Sequence, residues 1–240
     1  MRALVMFYGV ACYTFFFAVF VYLIAFIGDI FVPKTISSGE TVDFATALII
    51  NLSLILLWGV QHTVMARAGF KEAIKHIIPH HTERSTYVLL SSVVLVILMY
   101  FWQPMSQQIW QVTDATGVAV LWGIFGAGWL LVLLSTFLTD HFDLFGLRHT
   151  WLHFVQRDYT SVPFTERFFY KSIRHPMMLG LLIAFWATPS MDMGHLVFSV
   201  GMSIYIVVGI YFEERGLTST LGDDYHEYRK RTARVIPKIF

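Results

Sequence analysis

Cysteine is almost absent. Cys12 stands alone in 240 residues and lies inside an apolar run. No intramolecular disulfide can form, and thiol redox chemistry at that position is not expected. Charge is scarce as well. Asp, Glu, Lys and Arg together make 14% of the chain, and the net charge is +1. A nucleic-acid partner, which needs a strong basic field, is therefore excluded. There is no internal repeat and no low-complexity tract. What fills the space is apolar: 56% of residues are hydrophobic, 17% are aromatic and the mean hydropathy is +0.62. That composition points to an all-α integral membrane protein.

Six apolar segments can be read, at roughly 4–27, 44–64, 86–103, 117–138, 176–189 and 195–213. A helical span needs about 20 apolar residues. The first, second, fourth and sixth qualify and the third is slightly short. The fifth gives only about 21 Å of helix, so it tilts, thins the bilayer or crosses in part. The expected architecture is a single membrane domain, 1–240. It has four N-terminal spans (1–138), a connection (139–175), and a helical hairpin with a tail (176–240). With six crossings, sixteen of the seventeen Lys and Arg residues share one side and Lys34 stands alone on the other. The positive-inside rule then puts both termini and the tail in the cytoplasm, which in a bacterium makes this a protein of the cytoplasmic membrane.

Polar groups gather at the ends of these segments. Pro189–Gly194 reads as a turn. Counting outward from it brings Arg174 and His175 to the height of Glu213 and Glu214, within about one helical turn. Pro176 suits the first position of a helix. Arg174 and His175 then precede a helix N-terminus, a natural place for a carboxylate, and Gly180 permits close backbone approach one turn in. An interfacial anchor explains the same residues without a ligand.

A second group follows the fourth segment: Asp140, His141 and Asp143, flanked by Phe142 and Phe145. A histidine oriented by a carboxylate is a proton acceptor near neutral pH; a plain polar loop is the alternative. No HExxH pattern occurs, and no metal is expected there. Gln61 and His62 end the second segment, where they either line a pocket or form a hydrogen-bonded core. Arg84 and Tyr87 open the third and are candidates for the same mouth. His76, His80 and His81 surround Pro79 and read as a wet surface loop.

These residues carry a resemblance. Arg174-His175-Pro176-x-x-x-Gly180, a hairpin, Glu213-Glu214-x-x-Leu217, Gly222-x-x-Tyr225-x-x-Tyr228 and Pro237 resemble the C-terminal signature of the isoprenylcysteine carboxyl methyltransferase superfamily. Met178 stands where that signature usually has tyrosine. Gln61-His62-Thr63-x-Met65-Ala66-Arg67, Glu83–Tyr87 and His141–Leu147 are similar to its methanethiol-methylating and NnrU-like branch. The resemblance implies that S-adenosylmethionine donates a methyl group to a small thiol, turning methanethiol into dimethyl sulfide. It implies cofactor contacts at Arg174, His175, Pro176, Gly180, Glu213, Glu214, Tyr225 and Tyr228.

An unactivated thiol is mostly protonated at pH 7. His141, with Asp143 or Asp140, is the candidate base, and Gln61, His62, Arg84, Tyr87, Phe142 and Phe145 are the candidate pocket. The partners expected are thus a small thiol and membrane lipids, with no metal. An isoprenylcysteine carboxylate or lipid acceptor, an NnrU-like role and a small transporter remain as alternatives.

Overall fold

The computed structural model describes residues 1–162, 164 and 166–236. Pro237 and Lys238, used in the sequence reading, lie outside them. Five helices are long and apolar enough to cross a bilayer: α1 (Arg2–Gly28), α2 (Phe44–Met65), α4 (His80–Phe101), α5 (Ala115–Thr139) and α9 (Met193–Leu221). Short helices α3 (Ala68–Ile74), α6 (His141–Leu144), α7 (Leu147–Phe154), α8 (Pro176–Trp186) and α10 (Asp223–Arg231) complete the helical set. Large apolar side chains such as Phe7, Phe17, Ile49, Ile204 and Val207 stay exposed on the long helices. Such an outward apolar face suits lipid, where helices satisfy every backbone group internally.

The chain forms two compact units. The first comprises Met1–Ser106 and Asp140–Val162; the second comprises Gln107–Thr139 and the chain after Val162. In the first, α1 packs on α4 and α7, and α2 packs on α4. Gly9 of α1 lets α7 approach closely, since a Cβ there would lie 2.2 Å from Thr150 Oγ1. Asn51, fully buried on α2, bonds both the carbonyl and the N–H of Gln103 and so fixes where α4 ends.

In the second unit α5 and α8 run antiparallel and almost touch. A Cβ on Gly180 would sit 2.7 Å from the Gly128 carbonyl oxygen and 2.9 Å from Val132 N. The missing side chain of Gly180 is therefore used against α5. Backbone cannot step aside as a side-chain tip can, so Gly180→Ala must push the helices apart. An expected loss of about 1–3 kcal/mol is checked by thermal unfolding in detergent, and an unchanged midpoint would refute the packing argument.

Two features differ from the sequence reading. Pro189–Gly194 is not a simple turn: Ser190–Asp192 forms strand β2, antiparallel to β1 (Gln108–Gln111). Nor does the short arm of the hairpin cross as one helix. The Phe185 carbonyl is taken by His195 Nε2 and Ser199 Oγ, and Pro189 restricts the residue before it, so α8 stops after 11 residues. That is about 16 Å of helix. Ala187 turns the chain at φ −90° and ψ 58°, Thr188 N–H donates back to the Trp186 carbonyl at 3.1 Å, and β2 follows. The long arm, α9, has 29 residues, about 43 Å. It outruns the hydrocarbon core of about 30 Å, so Glu213 and Glu214 lie within its continuing helix rather than at its end.

Candidate functional site

Both units hold a concentration of polar groups. In the second, the hairpin brings Arg174 and His175 against Glu213 and Glu214. Arg174 Nε donates to Glu214 Oε1 at 2.7 Å. His175 Nε2 lies 3.3 Å from the same oxygen, and its Nδ1 lies 3.5 Å from Glu213 Oε2. Arg234 reaches the other Glu214 oxygen at 3.1 Å. Arg174 Nη1 also donates to the Arg229 and Thr232 carbonyls.

After α10 the chain folds back beside the segment that leads into α8. Arg174 N–H donates to the Ala233 carbonyl and His175 N–H to the Arg234 carbonyl. Those two donors are consumed by the tail and do not await a ligand. Pro176 opens α8 at its first turn, as its missing N–H allows.

The residues of this cluster divide by availability. Glu214, Arg174 and His175 are buried and engaged with one another. Glu213 is half exposed. Tyr225 and Tyr228 are each 1% exposed, and Phe164 packs edge-on against both. Tyr228 donates to the Tyr170 carbonyl. The Tyr225 hydroxyl has no partner among the described residues. Burial first, and then the Glu214 charge, push its pKa up to about 12, so it stays a neutral donor. A buried donor left unpaired costs about 1–3 kcal/mol, which makes it a place where a bound ligand would be stabilising.

In the first unit, α5 gives way to Asp140, whose φ of 101° is unusual for a residue with a side chain. Asp140 caps α6, its carboxylate accepting from Asp143 N–H at 3.0 Å. This turn sets His141 into the interior, 4% exposed, with Nε2 at 2.8 Å from the Tyr13 hydroxyl of α1. Phe142 and Phe145 present their edges to its ring.

The sequence left Asp143 and Asp140 both open as partners of His141. Asp143 accepts from Arg148 at 2.8 Å and from the Tyr159 hydroxyl at 3.3 Å, with His149 at 3.6 Å. Of the two carboxylates it is Asp140 whose charge acts on the His141 ring. Burial lowers the pKa of His141 and Asp140 offsets part of that shift, so the ring is neutral and able to accept a proton at pH 7.

The proposed pocket residues form one connected set within this unit. Arg84 Nε donates to the Leu144 carbonyl at 2.7 Å and pins the end of α6. His62 stacks on Trp58 and lies 2.9 Å from the Tyr87 hydroxyl. Tyr87 packs in one apolar cluster with Phe16 and Phe145. Gln61 donates to Ser91 at 3.3 Å. Its carbonyl oxygen is buried without a partner among the described residues.

Sequence reasoning missed Tyr13, Arg148 and Arg234. Arg148 and Arg234 were visible as charges, but nothing in their spacing assigned them a carboxylate. Tyr13 gave no signal at all, since a tyrosine in an apolar run is ordinary and its partner is 128 positions away.

Burial also lowers the pKa of His149 in α7. With both histidines below their ordinary 6.5, the unfolded chain takes up protons first as pH falls. Stability contributed by the neutral rings is full above pH 6.5 and is lost as pH drops toward the folded values. The thermal midpoint is expected to fall between pH 7 and pH 5, and His149→Gln should flatten that slope. A midpoint independent of pH in that window would contradict the assignment.

Five span-length helices and a helical hairpin closed by a buried ion cluster define an all-α integral membrane protein. The match is then specific: residues 50–238 match the NnrU protein family, and the chain belongs to that family. It is 44% identical to methanethiol S-methyltransferase of Mycobacterium tuberculosis over 98% of this chain and 97% of that protein. It is 42% identical to the enzyme of the same name from Crocosphaera subtropica over 99% and 93%. More distantly, it is 26% identical to Nurim of Xenopus laevis over 73% and 64%. No solved structure matches the chain. Among the described residues no group of His, Cys, Asp and Glu is arranged to hold a metal.

Proposed function

We propose that this protein is a membrane methyltransferase that transfers the methyl group of S-adenosylmethionine to methanethiol, giving dimethyl sulfide. The observation that carries this reading is its similarity along almost the whole chain to methanethiol S-methyltransferases. The donor, when bound, supplies an electrophilic methyl carbon on a sulfonium. The Arg174–His175–Glu213–Glu214 cluster with Tyr225 is the proposed donor site, on the cytoplasmic face by the positive-inside argument.

The donor set fits. The half-exposed Glu213 carboxylate suits a ribose diol or an ammonium group, and the unpaired Tyr225 hydroxyl suits an acceptor such as a carboxylate. Arg174, His175 and Glu214, tied to one another, act mainly by holding the hairpin and tail in place.

The acceptor side of this reading rests on His141 and its neighbours. His141 would take the thiol proton, leaving a thiolate to accept the methyl group that the bound donor would supply, with the donor leaving as a neutral thioether. The products are dimethyl sulfide, S-adenosylhomocysteine and one proton. Phe142 and Phe145 make an apolar wall suited to a small alkyl thiol, and the unpaired Gln61 oxygen is an acceptor for a weak S–H donor. An oriented encounter supplies several kcal/mol of barrier lowering by itself. The test is purified protein in detergent with methanethiol and S-adenosylmethionine, assayed by headspace gas analysis. Absence of dimethyl sulfide from folded protein that binds the donor overturns the proposal.

A further inference from the structure

A groove between α1 and α4 lies at the end of the first unit away from His141. Its wall on α1 is Ala18, Val19 and Tyr22; on α4 it is Val96, Met99 and Tyr100. The α4 residues fall in its last two turns and the α1 residues within the last three turns of that helix. The cavity measures about 240 Å³, below the roughly 300–1,000 Å³ that encloses a drug-sized ligand. A walled segment of hydrocarbon fits such a space; a whole polar metabolite does not.

Lys34 closes one end. Its backbone is fixed by the Tyr22 hydroxyl, which donates to the Lys34 carbonyl at 3.0 Å and accepts from its N–H at 3.3 Å. The ammonium donates to the Ser38 carbonyl at 2.6 Å. An ammonium has three donors, and among the described residues no carboxylate pairs with this one. Desolvation lowers its pKa, so an anion at this point relieves a cost already present.

We infer that this groove is a binding site for an anionic phospholipid, with a segment of one acyl chain between α1 and α4 and the headgroup phosphate on Lys34. The chemistry selects the headgroup. A single cation with no neighbouring carboxylate satisfies a phosphate but offers nothing to the ammonium of a zwitterionic lipid. Lys34 is the one basic residue that the charge pattern sets apart from the other sixteen. Nothing in the proposed methyl transfer uses it, and the two readings stand or fall separately.

The test uses delipidated full-length protein in detergent, titrated with phosphatidylglycerol or phosphatidylethanolamine and read by native mass spectrometry. The wild type should bind phosphatidylglycerol more tightly by about fivefold, the ~1 kcal/mol that one lysine contributes beside a net anionic headgroup. Lys34→Gln should lose that preference with an unchanged thermal midpoint in lipid-free detergent. Ala18→Phe, at an exposed position, should fill the groove and weaken binding of both lipids. Equal binding of the two lipids by wild type, a preference that survives in Lys34→Gln, or occupancy by a free fatty acid in place of phospholipid would each overturn the inference. Methyl transfer by Lys34→Gln in detergent should be unaffected.

Discussion

Glu214→Ala is expected to lower stability by about 3–5 kcal/mol, the range for breaking a buried ion pair by removing one partner. The magnitude follows from what is left behind. Glu214 and Arg174 side chains are 5% and 8% exposed, and one carboxylate answers Arg174, His175 and Arg234 together. Without it, the Arg174 guanidinium is buried with only neutral oxygens for partners, the Arg229 and Thr232 carbonyls and the Thr232 hydroxyl. Because Arg174 also holds the Arg229 and Thr232 carbonyls, the tail should loosen from the start of α8. Limited proteolysis near residue 232 should report this before global unfolding does.

A buried pair is not proof of net stabilisation, since well-packed apolar replacements often do as well. The double variant Arg174→Met/Glu214→Leu should therefore recover part of the loss. A single-variant cost below about 1 kcal/mol, the range of exposed pairs, would show that the cluster does not act as a buried unit.

The second large effect concerns turnover. His141→Ala should cut methyl transfer by about 10²–10⁴-fold, the usual contribution of a positioned acid or base, with donor affinity close to wild type. The ring is buried, so the thermal midpoint must be measured alongside. Asp143→Asn makes the contrast that separates the structure from the sequence pattern. Its carboxylate serves Arg148, Tyr159 and His149, so the variant should lose stability and keep most of its turnover. If Asp143→Asn were as inactive as His141→Ala with folding intact, the two would act as a dyad and the geometric assignment would fail. If His141→Ala lost donor binding while turning over bound donor normally, the base assignment would fail.

The same contrast marks what a linear chain discloses. The composition and the lengths of the apolar segments were enough to state an all-α membrane protein, because hydrocarbon admits few other solutions. Hairpin counting brought Arg174 and His175 to Glu213 and Glu214 because helical rise is constant. That count worked although the short arm is a helix of only 11 residues that ends at Trp186. The polar identities of the Asp140–His141 turn were plain as well, but their pairing was not. Adjacent positions on a tight turn point in different directions, so proximity in sequence left Asp143 and Asp140 both open for His141, and only the fold disclosed the Tyr13 contact.

The sequence by itself determined the membrane class and the convergence of the hairpin ends. Each follows from composition or from a fixed rise per residue. Only the tertiary structure decided which carboxylate serves which cation, that Gly180 serves contact with α5, that Tyr225 and Gln61 hold unpaired polar atoms, and that Lys34 closes a groove. Those are contacts between residues far apart in the chain. They depend on distances of a few tenths of an ångström between packed elements, which no periodicity encodes.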